Sequence, residues 1–366
     1  MNIKDMEIYH VPNVLWHYRV PTYNNLAKRC KSLKVGYIEI EENFNVDTND
    51  GWVEERVGGF QLFDWKVIFN LATIKSLFTG SDCFLLEWNL RNIFLIPVTF
   101  FAMYVLRKRV VWWGHGESKN TSLLTKLTFW AGRKIPNCVV VYMDETKGAL
   151  IKRHNYLEKE VYVARNGVDT ANIDKYMANI GGQRNDKEWV SLYSGRLNPG
   201  RDLDRIVRAI YELNERGISC RHVFIGDGEE RENLQALAKE LNVENKIQFY
   251  GAVHKIEELS KIYAQVDYVI IPGWLGLALT QSYAFGKPAI ICDEKEMHNP
   301  EIRVYSDAAG WKYVYKNDSL AVTMQGGMRL GKEGVRRMGE VGHSIIAQGY
   351  STEIMVDGLQ SAIEGL

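Results

Sequence analysis

Two arginines, a glycine-flanked helix start and a histidine between glycines are the residues of this chain best suited to chemistry on a phosphate-bearing substrate. Arg196 and Arg201 lie in SGRLNPGRDLD (Ser194–Asp204), where an apolar run ends and Gly195 turns the chain before a helix-like segment. A guanidinium grips phosphate oxygens with a planar fork and keeps its charge; either arginine alone also reads as a solvated surface residue. The segment PGWLGLALTQSYAFGKP (Pro272–Pro288) follows the apolar run Tyr268–Ile271, opens with Gly273 and Gly276, and continues as a helix from Leu277 to Phe285. A helix N-terminus at the end of a parallel strand offers free backbone N–H groups and a positive dipole end, which suit a diphosphate. Gly226 sits in a further strand-to-helix turn, FIGDGEE (Phe224–Glu230). In the first half, His115 closes a strand-like run between Gly114 and Gly116, just after Trp113, where a histidine has little to pack against. Glu87 ends another run and is the carboxylate placed to orient a hydroxyl or take its proton. Tyr18 and Arg19 stand at a helix entry, NVLWHYRV before PTYNNLAKR. There Arg19 suits an acceptor phosphate, a donor diphosphate or a structural salt bridge.

The elements that must position these residues alternate. Strand-like runs at Glu7–Val11, Val35–Ile40, Cys83–Trp88, Arg109–Trp113 and Cys138–Tyr142 are separated by helix-like segments at Pro21–Ser32, Lys66–Phe78, Ile93–Leu106, Ser122–Arg133 and Glu145–Arg153. The runs are continuously apolar, as in strands covered on both faces, and the alternation implies a parallel, doubly wound sheet. Residues 171–188 are polar, with Gly181-Gly182, and read as a linker. The alternation then restarts with strands at Trp189–Tyr193, His222–Ile225, Lys246–Tyr250, Tyr268–Ile271 and Ala289–Cys292, and closes with helical segments to residue 366. The expected fold class is α/β, with a Rossmann-like domain at 1–170, the linker, a second such domain at 189–348 and a C-terminal helix at 349–366. Ligands of such sheets bind at the carboxyl ends of the strands, so a cleft between the domains is the expected site.

Composition narrows the classes. The 366 residues carry 45 Lys+Arg and 45 Asp+Glu, which does not favour a nucleic-acid partner. The balance hides a skew: residues 1–165 hold 22 Lys+Arg against 17 Asp+Glu, leaving 23 against 28 in the remainder. The five cysteines are scattered without a C-x-x-C pair, which argues against a zinc site or disulfide framework and for a reducing compartment. No G-x-G-x-x-G follows the first strand, so dinucleotide binding has no fingerprint. The polar start, Met1–Glu7, shows no signal peptide. Ile93–Leu106 is too short to span a bilayer and, followed by Arg107-Lys108-Arg109, reads as a buried helix or one resting on a membrane face. Lys119, Lys126, Arg133 and Lys134, interleaved with Leu123, Leu124, Leu127, Phe129 and Trp130, read as a solvated amphipathic helix or a docking surface for a membrane bearing the acceptor.

Taken in order, SGRLNPGRDLD, FIGDGEE, FYGAV at 249–253, IYAQVDYVIIPG and GLALTQSYAFGKPAI resemble the nucleotide-sugar half of the retaining glycosyltransferases of GT-B fold, the large family-four group. The likeness extends more weakly through ARNGVDT at 164–170. It implies two Rossmann-like domains facing a central cleft, with the C-terminal helix crossing back to the first. It implies a nucleoside diphosphate sugar as donor, UDP-linked first and GDP-linked next, with no cofactor and no metal. Arg196 and Arg201 match the basic diphosphate contacts; Gly195, Gly226, Gly276 and Leu277 match the loops and helix start around the donor; Val253 matches backbone near the nucleobase. His115 matches a histidine near the anomeric centre. With Arg196, Arg201 and Glu87 it makes up the expected catalytic set, and Tyr18, Arg19 and Trp113 are the expected acceptor contacts. The family's paired glutamates are replaced here by Gly273 and Gln281. Gln281 can still hydrogen-bond a ribose, whereas Gly273 has no side chain, so an acid such as Glu294 or Glu301 would have to face the sugar. The expected activity is retaining hexosyl transfer to a glycan hydroxyl. The expected acceptor is lipid-linked, for a bacterial surface polysaccharide or glycoprotein, at the cytoplasmic side of the membrane. A non-catalytic binding subunit and a sugar-nucleotide epimerase of the same fold are the alternatives.

Overall fold

The computed structural model describes residues 2–40, 51–62, 67–116, 123–180 and 187–365. The chain forms two compact units, Met1–Gly167 with Ser351–Leu366, and Val168–Tyr350.

The first unit is built on a seven-stranded, all-parallel sheet ordered Val161–Val163, Cys138–Val141, Arg109–Gly114, Cys83–Glu87, Glu7–Val11, Ser32–Tyr37 and Trp52–Arg56. The Cys138–Val141 strand is buried at every position and Cys83–Glu87 at all but its last, which is why these runs are uniformly apolar. Successive strands step outward from Glu7–Val11 to one edge, and the chain then returns to fill the other side. The strand order therefore reverses between Glu7–Val11 and Cys83–Glu87, and the crevice beyond their carboxyl ends is where such sheets take ligands.

The second unit repeats the plan with six parallel strands, ordered Ile247–Gly251, Cys220–Ile225, Trp189–Ser194, Tyr268–Ile271, Ala289–Cys292 and Gly310–Tyr313. Its order reverses between Trp189–Ser194 and Tyr268–Ile271. The Asp204–Glu215 helix buries Ile206, Val207, Ile210 and Leu213, a helical stripe that fixes which way its preceding loop faces.

The helix Thr352–Glu364 belongs to the first unit. The Ser351 side chain accepts a hydrogen bond from the Ile354 N–H and starts the helix. Met355, Val356, Leu359 and Ile363 are fully buried among Tyr23, Leu26, Cys138 and Val140, each contributing about 1.5–3 kcal/mol.

Two sequence expectations need correction. The stretch read as one helix from Lys66 to Phe78 opens as a strand, Val67–Asn70, antiparallel to Gly59–Leu62. A helix, Leu71–Lys75, follows only after Asn70, whose side chain accepts from the Ala72 N–H at 3.0 Å and so caps it. The stretch read as a linker, 171–188, holds the helix Thr170–Ala178, capped by Asp169 and anchored by buried Ile173 in the core of the second unit. Residues 181–186 of that stretch lie outside the described residues, as do Lys119, Ser122 and the side chains of Leu123 and Leu124.

Candidate functional site

At the reversal point of the second sheet, the turns come close enough to exclude side chains. Gly195 N–H donates to the Ile225 carbonyl at 2.9 Å, and Gly226 N–H donates to the Gly251 carbonyl at 2.7 Å. Gly226 has φ +128°, and a Cβ there would stand 1.9 Å from the Gly195 carbonyl oxygen; only glycine fits. The turns after three neighbouring strands are thus fused into one backbone surface. Val253, just past Gly251, is half-buried against the core behind it.

The two candidate phosphate arginines differ in how they are held. Arg196 is exposed. Arg201 is partly buried, and its Nη1 donates to the Trp274 carbonyl at 2.8 Å, tying the first loop to the loop before the Leu277–Ala284 helix. That helix begins at Gly276 with no side-chain cap; the Leu279 N–H is taken by the Gly276 carbonyl at 3.2 Å, so it is the N–H groups ahead of it, at Leu277 and Ala278, that suit an anion. Gln281, one turn in, accepts from the Ser194 hydroxyl at 3.2 Å. The structure therefore brings Ser194, Arg201, Gly273, Gly276, Leu277 and Gln281 to one crevice edge.

The carboxylate nearest the missing side chain at 273 was not singled out from the sequence. A Cβ on Gly273 would meet Asp202 Oδ2 at 3.1 Å and Met297 Cε at 3.0 Å. Asp202 is held by the Tyr315 hydroxyl, which donates to Oδ2 at 2.9 Å. It has a left-handed backbone, φ +55°, so the turn sends its carboxylate toward position 273. Of the acids expected to face the sugar, Glu294 pairs with Lys316 at 3.5 Å, and Glu301 is shifted upward in pKa by burial. The available signal for Asp202 was its place beside Arg201 in the same motif.

The reversal point of the first sheet opens into a cavity of about 420 Å³. Tyr18, Arg19, Glu87, Trp113 and His115, named from sequence, all line it, together with His10, Tyr142 and Asn166. Arg19 is only 7% exposed. Its guanidinium lies over the rings of Trp113 (4.8 Å), Tyr142 (4.9 Å) and Tyr18 (5.2 Å), and Nη1 reaches the Met355 sulfur at 3.4 Å. Glu87 accepts from the Asn13 N–H at 2.7 Å. Burial raises its pKa, against hydrogen bonds from Asn13 and Asn89 and the charge of Arg19. His10 Nδ1–H donates to the Leu85 carbonyl at 2.8 Å, and burial lowers its pKa to about 4. His115 reaches solvent at its edge, yet the protein around it, with Arg19 as second cause, lowers its pKa too. Both imidazoles are therefore neutral near pH 7.

The comparisons with known proteins follow this geometry. The model of the family described as glycosyl transferases group 1 matches residues 180–310. An uncharacterized glycosyltransferase of Methanocaldococcus jannaschii is 27% identical over 198 residues, covering 50% of this chain and 49% of that protein, so the match spans about half the relative's length. A glycosyltransferase structure from Rickettsia africae superposes with a TM-score of 0.74 at 14% identity, covering 99% of this chain and 98% of that one. The structure of HepE from Anabaena in complex with UDP superposes with a TM-score of 0.69 at 13% identity, covering 99% and 100%. The two Rossmann-like units follow the GT-B plan, and residues 180–310 of the second match the group 1 glycosyl transferases.

Proposed function

We propose that this protein transfers a hexose from a nucleoside diphosphate sugar, UDP-linked in preference to GDP-linked, to a hydroxyl of a glycan acceptor with retention at the anomeric carbon. The observation that carries the proposal is the crevice edge of the second unit: fused glycine turns, Arg201 locked to the Trp274 carbonyl, and an uncapped helix start at Gly276. This is a preorganised anion cradle of the kind that stabilises charge developing on a leaving diphosphate. Binding of UDP by HepE, a structure of the same fold, supports the same nucleotide here.

In the proposed step, the bond from the anomeric carbon to the diphosphate oxygen breaks while the acceptor oxygen bonds to the same face. The acceptor proton passes to the departing phosphate oxygen. Arg196, Arg201 and the Leu277 helix start hold the growing negative charge in place of a divalent ion. Gly195, Gly226 and Val253 shape the nucleotide seat, and Gln281 bonds the ribose. Asp202, standing where a side chain at Gly273 would begin, takes a sugar hydroxyl. Glu87 orients the acceptor hydroxyl, and His115 sits beside the reacting centre.

A lipid-linked acceptor, used at the inner face of the cytoplasmic membrane, agrees with the surface of the first unit. Among the described residues no helix is long and apolar enough to cross a membrane. The Leu95–Tyr104 helix nevertheless exposes Phe100 (57%), Phe101 (44%) and Tyr104 (61%), with Arg107 and Lys108 just beyond it. Such a face suits the interface of an anionic bilayer.

The test is a thermal-shift series with UDP, GDP, CMP, dTDP and NAD, with and without EDTA, followed by NMR of the anomeric proton in the product. Stabilisation by UDP that survives EDTA, and an α-linked product from an α-linked donor, are the expected results. No stabilisation by any nucleotide would favour a binding subunit, the reading that Gly273 and Gln281 would suit.

A further inference from the structure

Arg19 is a buried cation that makes no ion pair with a carboxylate among the described residues. Its partners among the described residues are the Met355 sulfur, the phenols of Tyr18 and Tyr142, and three ring faces. No carboxylate pairs with it there. Phenols and rings stabilise a guanidinium only in part, and the fork has five N–H groups to satisfy. Two residues of its lining carry further unmet demand: Trp113 Nε1, a donor, and Asn166 Oδ1, an acceptor, are buried behind the cavity surface with no hydrogen-bond partner. Buried polar groups are normally paired, and exceptions in a cavity point to something that fills it. The other charged side chains of the lining are Glu87, which accepts from the Asn13 N–H and feels the charge of Arg19, and the exposed Arg91.

We infer that this cavity binds a sugar-sized ligand bearing an oxyanion, with the phosphoryl or carboxylate group on Arg19 and ring hydroxyls reaching Trp113 Nε1 and Asn166 Oδ1. Trp16 and Tyr18, whose rings stack at 6.2 Å on the cavity wall, supply a flat apolar face for the sugar ring. A ligand with only the anion leaves the indole and amide unpaired, and one with only the ring leaves the guanidinium unmatched. The cavity therefore selects both together. Calling this ligand the acceptor rests on the transfer reading above; its chemistry does not.

The experiment uses the full chain labelled with 5-fluorotryptophan, the Trp113 resonance being identified by its loss in Trp113→Phe. Glucose 1-phosphate, glucuronate, methyl glucoside and inorganic phosphate are titrated separately, with and without saturating UDP. At least one charged sugar should move the Trp113 resonance at concentrations where methyl glucoside and phosphate do not; the tighter of the two identifies the acid. UDP should leave that affinity unchanged. Arg19→Lys, which keeps the charge and loses the fork, should weaken binding about tenfold, and Arg19→Gln about a hundredfold. Should Arg19→Gln lose its fold by circular dichroism, Arg19→Lys carries the test, and an unchanged affinity in it overturns the proposal. Equal binding of methyl glucoside, no response to either charged sugar, or displacement by UDP overturns it as well, the last placing Arg19 at the donor diphosphate. Failure of UDP to bind anywhere sinks the transferase reading while these titrations remain readable.

Discussion

At the carboxyl edge of the first sheet the crevice is walled by side chains. Arg19, Trp113, Tyr142 and Glu87 are packed there, and their charges and rings select by shape and desolvation. At the matching edge of the second sheet the wall is backbone: the turns at Gly195 and Gly226 are bonded to their neighbours, the helix after Gly276 starts without a side-chain cap, and the arginines stand at the rim. Both sheets reverse their strand order at this point, so topology supplies the crevice in each case. The lining then follows the ligand class proposed for it. A diphosphate common to many donors is held by groups that every chain possesses, whereas a particular acceptor needs particular side chains.

The contrast can be broken most severely at Gly226. Gly226→Ala drives a Cβ into the Gly195 carbonyl and should destabilise the second unit by about 3 kcal/mol or more. Gly148→Ala, in a helix of the first unit with open space around it, should stabilise by about 0.5–1 kcal/mol. Chemical denaturation curves of the two variants make the comparison, and equal effects would refute the close-packed backbone.

Acidification probes both units through one buried histidine each. Burial lowers His10 to about 4 and His222 to about 3. Both lie below the ordinary value near 6.5, so the unfolded chain takes up more protons as pH falls. The stability these neutral rings provide is full above pH 6.5 and drains away toward pH 4 and 3, up to about 3 kcal/mol for His10. Melting temperature followed from pH 7 to 4 should fall more steeply in the parent than in His222→Gln.

Arg201→Ala should weaken nucleotide binding by about 1.5–3 kcal/mol, read by calorimetry, with smaller loss for exposed Arg196→Ala. Asp202→Asn should lower kcat/KM for the sugar donor about tenfold while leaving UDP affinity within twofold; a matching loss in UDP affinity would assign Asp202 to the nucleotide instead. The smallest effect on the fold belongs to Phe100→Ser with Tyr104→Ser, both exposed. Stability should change by no more than about 0.5 kcal/mol for each, while flotation with phosphatidylglycerol vesicles should fall severalfold.

Much of this architecture was legible because central parallel strands announce themselves. Glu7–Val11, Tyr268–Ile271 and Ala289–Cys292 are bounded in the fold as they are in the apolar pattern. The elements that escaped notice are those with little apolar surface to advertise. Trp52–Arg56 buries one residue of five at an edge, Gly310–Tyr313 opens with glycine and is also an edge strand, and the Thr170–Ala178 helix rests on Ile173 and Thr170. The Lys66–Phe78 misreading took a mixed stretch as one helix and passed over Asn70, the actual boundary. In the crevices, Arg19 was named from sequence, but not its burial or its lack of a carboxylate partner. Those depend on the rings that two distant strands bring around it and on the sulfur that the last helix adds. Asp202 was hidden for a similar reason, since its nearness to Gly273 spans 71 positions and a left-handed turn.

The return of the Ser351–Leu366 segment to the first unit has a consequence for synthesis on the ribosome. Every residue from Val168 to Tyr350 emerges before the helix that covers Tyr23, Leu26 and Val140 exists. The second unit, contiguous in sequence, can close its core while the first still shows an oily groove. The first unit therefore keeps that groove open until the Ser351–Leu366 segment has emerged, so the second unit has the earlier chance to fold.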